Sequence, residues 1–230
     1  MDLQEATIWQ ICWSWFHQIF NVRISWAMQM RRRAAEFWNG LMRDAAGCDG
    51  TPGATDALLV AAEKHLARYN EHLGCELICT NSVPALVITA YGNSDHRDAV
   101  VELCSAAPIS VPFEVKAFRP AAGANAICEI DDRCFDVAAM RFQSLSDAND
   151  PMFLGICVHI YAEKPLTDEL AFAAATLAVQ MILGEETFMT RVDFIKAVTH
   201  GRSVDTAGFV PMIMLPTLVE RHLARVRALT

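Results

Sequence analysis

The stretch LGICVHIYAE (Leu154–Glu163), followed after three residues by TDELAFAAATLAVQMILG (Thr167–Gly184), decides how this chain folds. The first part is short and rich in β-branched residues, as a strand is. The second is apolar nearly all round, with Thr167 placed as an N-cap and Gly184 at the C-terminal end, so it reads as a buried helix. FMTRVDFIKAV (Phe188–Val198) then reads as a second strand. A strand, a crossover helix and a returning strand form a unit that is almost always right-handed with its strands parallel.

The same order occurs earlier in the chain. ALVITAYG (Ala85–Gly92) reads as a strand, SDHRDAVVELCSAAP (Ser94–Pro108) as a helix capped by Asn93 or Ser94, and PFEVKAFRP (Pro112–Pro120) as a strand. CELICT (Cys75–Thr80) pairs naturally with the first of these. Aligning Thr89 with Tyr161 brings the two halves into register, so that Thr89 and Tyr91 correspond to Tyr161 and Glu163. ICEIDDRCF (Ile127–Phe135) and VAAMRFQSL (Val137–Leu145) add extended segments, and LPTLVERHLARVRAL (Leu215–Leu229) is a terminal amphipathic helix. The expected fold is therefore α+β. It has a mixed β-sheet built from two pseudo-repeated strand–helix–strand units, 75–120 and 135–200, resembling ferredoxin-like halves.

Residues 1–74 read as a helical N-terminal region packed on the sheet domain of residues 75–230. GCDGTPGATD (Gly47–Asp56) is the linker, and Thr55 or Asp56 is the expected cap of the helix that follows it. IWQICWSWFHQIFNVRISWAMQM (Ile8–Met30) is interrupted by Gln10, His17, Gln18, Asn21, Arg23 and Gln29, so an amphipathic helix is expected and no transmembrane segment. Its aromatics Trp9, Trp13, Trp15, Phe16 and Phe20 exceed what one water-exposed helix carries. They pack inside the protein or form a surface for a protein partner or homodimer.

Composition narrows the function classes. A hydrophobic share of 53% with 20% charged residues describes a folded chain. A net charge of −8 disfavours nucleic acid, and Arg31-Arg32-Arg33 is too short a cluster to reverse that. Eight cysteines in a chain of this length, opening on Asp2 and Glu5 rather than a basic signal region, point to free thiols in a reducing cytoplasm.

Local chemistry is quiet. Gly92 stands without the further glycines or the lysine of a phosphate loop, so Gly92 and Asn93 read as a turn into a helix cap. His65, His72, Cys75 and Cys79 lack zinc-ligand spacing and read as an exposed helix face with scattered thiols, so no metal and no cofactor is expected. There is no G-x-S-x-G elbow and no H-E-x-x-H, and no catalytic residue is assigned. Period-2 alternation puts His159, Tyr161 and Glu163 on one strand face, with Tyr91 joining them through the repeat. That set could bind a ligand or assemble acid–base chemistry, but the preferred reading is the solvated face of an antiparallel sheet. Glu185 and Glu186 read as a polar loop.

IWQICWSWF (Ile8–Phe16), LVITAYG (Leu86–Gly92), CSAAP (Cys104–Pro108), VKAFRP (Val115–Pro120) and LGEETFMTRVDFI (Leu183–Ile195) together resemble an uncharacterised bacterial α+β family of unknown function. That family shares an FWxWF-like helix, LVISAxG, AAP, VxAFRP and an LGE helix stop. The resemblance implies an α+β fold in a bacterial cytoplasm and supplies no catalytic residue. Tyr91 stands where an acidic residue is usual, and AVQMILGE (Ala178–Glu185) lacks the Asp-His pair that often precedes the stop, so any polar site of the group is altered here. The expected function is a cytoplasmic protein-binding or regulatory module without catalytic activity. The alternative is a small-molecule-binding protein or enzyme using Tyr91, His159, Tyr161 and Glu163.

Overall fold

The computed structural model describes residues 28–45, 52–80, 83–147, 149–162, 164–200 and 207–228. It is an α+β protein, as its strand and helix patterns predict. The chain divides into two compact units, one formed by Met1–Ile88 with Asp98–Lys116 and the other by Thr89–Arg97 with Ala117–Thr230.

The first unit contains α1 (28–44), α2 (Pro52–Tyr69), β1 (Gly74–Thr80), β2 (Val83–Thr89), α3 (Arg97–Ser105) and β3 (Glu114–Ala117), the strands forming a sheet in the order β1-β2-β3. In α1 the buried residues Met30, Ala34, Phe37, Trp38 and Leu41 recur at three- and four-residue spacing, the stripe that turns a helix toward a core. Buried aromatics with polar tips need partners, and here backbone carbonyls of α3 supply them. Trp38 Nε1 donates to Leu103 O at 2.8 Å, and the Tyr69 hydroxyl donates to Ala99 O at 3.0 Å. α2 starts at Pro52, earlier than the expected Thr55 or Asp56 cap, because proline is well tolerated in the first helical turn. His65 is buried rather than on an exposed face, its Nε2 lying 2.9 Å from Asp44 Oδ2.

In the second unit β4 (Ile127–Ile130) and β5 (Arg133–Asp136) form an antiparallel hairpin. Asp131 and Asp132, at φ 49° and 60°, make its two-residue turn, the left-handed geometry that matches strand twist. β6 (Arg141–Leu145), β7 (Gly155–Tyr161), β8 (Phe194–His200) and β9 (Val210–Pro211) form a mixed sheet in the order β8-β7-β6-β9, with β7 and β8 parallel. Between those two run α4 (Asp168–Leu183) and α5 (Glu185–Arg191), and α6 (Leu215–Arg227) follows β9. The expected N-cap holds, Thr167 Oγ1 accepting from Leu170 N at 3.3 Å. The buried face of α4 is small, with Ala171, Ala174, Ala175 and Ala178 lying in one core with Ile156, Val158 and Ile160 of β7.

Three expectations change. The strands of the described residues fall into three sheets rather than one, so the two strand–helix–strand segments do not combine into a single ferredoxin-like sheet. FMTRVDFIKAV is not a continuous strand: its first residues belong to α5, and β8 begins at Phe194. Glu185 and Glu186 at the start of α5 and Arg191 at its end suit the helix dipole, which favours a short helix there. Finally, β7 is buried on both faces up to Ile160, because it is a central strand with α4 on one side and the Phe209 ring against His159 on the other. No helix among the described residues is long and apolar enough to cross a membrane.

Candidate functional site

LVITAYG, VKAFRP and LGE, distant in sequence, meet at one side chain. Glu185 is fully buried, and its carboxylate accepts from four donors. Thr89 Oγ1 lies 2.8 Å from both oxygens, Ala90 N and Gly92 N reach Oε1 at 2.9 Å each, and Arg119 N reaches Oε2 at 3.0 Å. The contact with Arg119 is reciprocal, since Glu185 N donates to Arg119 O at 3.0 Å. Tyr91 N in turn donates to Thr89 Oγ1 at 2.9 Å. Burying a charged group costs several kcal/mol unless it is hydrogen-bonded, and here the donors meet that demand.

Local backbone explains why these donors converge. Tyr91 and Gly92 have φ of 54° and 77°, and Phe118 has φ of 68°. Left-handed residues turn successive N–H groups to one side, forming a concavity for an anion. Gly184, at φ 79°, suits glycine, and a Cβ there would sit a tight 3.2 Å from Ala121 N. A Cβ on Gly92 would run into the Gln180 amide and the Phe188 ring. The polar loop expected at Glu185 is therefore a buried anchor, with Glu186 beside it pairing with Arg97 Nη2 at 2.7 Å. With both oxygens fully engaged, Glu185 holds the loops and is not open to a substrate.

Of the polar set expected from the strand pattern, three members lie among the described residues. Tyr91 leaves the strand, is exposed, and lies under the Arg119 guanidinium at 5.3 Å from the ring centroid. His159 is buried in β7, its ring 5.6 Å from that of Phe209, so it is not on a solvated face. Tyr161, at the end of β7, is 40% exposed, and Glu163 lies outside the described residues. The aromatic residues from Trp9 to Phe20 also lie outside them.

The second unit holds a cleft of about 440 Å³ between β6, β9 and α6. Phe142, Leu145, Leu154 and Leu218 supply its apolar lining, and Ser144 and Ser146 add hydroxyls. His222 on its wall is committed to structure, Nε2 lying 3.0 Å from Met152 O. Arg221 and Arg225 line it one helical turn apart. Sequence reading marked α6 only as amphipathic, because a cleft needs a second wall that periodicity does not reveal. A hollow of about 380 Å³ between α1 and α2 of the first unit carries charges of both signs, Arg33, Arg43 and Arg68 with Glu36.

No family model matches the chain, and no curated protein or solved structure is significantly similar to it.

Proposed function

We propose that the protein is a binding module without catalytic activity whose ligand is a small molecule held in the cleft of the second unit. The observation that carries this reading is the cleft: about 440 Å³, with an apolar lining and a few polar groups. Small-molecule sites have this size and this mixture. The reading moves the ligand away from Tyr91, His159, Tyr161 and Glu163. A partner or homodimer surface on the aromatic N-terminal stretch does not conflict with it.

The test is thermal unfolding of the full chain with 1-octanol and octanoate as probes, alongside Ser144→Trp, which fills the cleft. A ligand at about 100 times its Kd adds about 2.7 kcal/mol of stability. The expected result is saturable stabilisation by at least one probe, lost in Ser144→Trp. Stabilisation that Ser144→Trp leaves intact, or none with either probe, overturns the reading.

A further inference from the structure

We infer that the cleft of the second unit selects a small amphipathic anion, a free carboxylate with an apolar tail. This rests on the binding reading above and names its ligand class. The tail has Phe142, Leu145, Leu154 and Leu218 to cover it. The head group has Arg221 and Arg225, which line the same cleft. Among the described residues neither guanidinium has an ion-pair partner.

Charge complementarity decides the class. Two like charges four positions apart on a helix repel, and an anion between them removes that repulsion. Guanidinium forks match a carboxylate with paired, charge-assisted hydrogen bonds. Ser144 and Ser146 add hydroxyl donors to the same cleft. None of the residues that line the cleft is a carboxylate, so no lining side chain neutralises the arginines. The chain as a whole carries a charge of −8, so two unpaired arginines beside an apolar cleft run against its general character.

Calorimetric titration of the full chain with octanoate, 1-octanol and octylammonium tests the class. Octanoate should bind saturably, 1-octanol about tenfold more weakly, and octylammonium not at all. The double variant Arg221→Gln, Arg225→Gln alters two exposed side chains. It should lower octanoate affinity by about tenfold and leave 1-octanol unchanged. Equal affinity for octanoate and 1-octanol, or a double variant that binds octanoate normally, overturns the anion assignment while leaving the cleft as a binding site. Failure of all three probes overturns both readings. Sedimentation with phosphatidylglycerol vesicles, without octanoate binding, would mean that the arginines read a lipid surface, and overturns the inference in favour of that partner.

Discussion

Gly92 N donates to Glu185 Oε1 at 2.9 Å across 93 positions of sequence. That bond, with those from Thr89, Ala90 and Arg119, fastens the turn after β2 and the loop after β3 to the start of α5. It makes Glu185 a shared anchor for those two segments and α5.

Removing its charge should therefore cost stability. Glu185→Gln places an amide against backbone donors, and a buried donor left without an acceptor costs about 1–3 kcal/mol. We expect Glu185→Gln to lose about 2–4 kcal/mol and Thr89→Val about 1–2 kcal/mol in urea unfolding. The double variant should lose less than the sum, because the two groups share one bond. Additive losses would mean that Thr89 and Glu185 do not interact.

Glycine substitutions separate backbone strain from crowding. Gly92, Gly123 and Gly184 all have positive φ, but a Cβ on Gly123 would meet nothing within 4 Å. Gly123→Ala should cost about 1 kcal/mol, the left-handed penalty alone. Gly92→Ala and Gly184→Ala should each cost more, and equal losses at all three positions would contradict the packing described around Glu185.

Acid lability has an identifiable contributor in the first unit. The hydrogen bond from Lys64 Nζ at 2.8 Å, and after it that from His65, hold the Asp44 carboxyl down from 3.8 to about 2. Because the folded value lies below the unfolded one, the stabilisation is fully present above pH 3.8 and is lost as pH falls through about 2. The stability difference between the parent protein and Asp44→Asn should shrink across that window. A difference that stays constant or grows on acidification would count against the assignment.

Thiol reactivity should follow burial. Burial pushes the Cys75 and Cys104 thiols up to about 12, and raises Cys128 and Cys157 as well, whereas Cys134 is exposed. The thiolate is the reactive form, so iodoacetamide should label Cys134 before these four, by about tenfold or more, as read by peptide mass spectrometry. Prior labelling of Cys75 or Cys104 would contradict the burial of Cys75 and the half-burial of Cys104.

Periodicity carries most of the secondary structure. The strand pattern of LVIT and VHIY and the Thr167 cap read directly from residue type and spacing. The Glu185 anchor does not, since three of its four donors are backbone N–H groups with no side-chain signature. A carboxylate beside a glycine looks like surface until the turn geometry at Tyr91 and Phe118 is known. Alternation along β7 puts His159 and Tyr161 on one face correctly, but whether that face meets water depends on what packs over it. The cleft is least legible, because its lining comes from β6, β9 and α6 together.

The most direct measurement is an amide chemical-shift titration of the full chain with octanoate. The account predicts saturable shifts at Ser144, Leu145, Val210 and Leu218, with Tyr91, His159 and Tyr161 unmoved. Shifts centred on Tyr91, His159 and Tyr161, with the cleft silent, would contradict it.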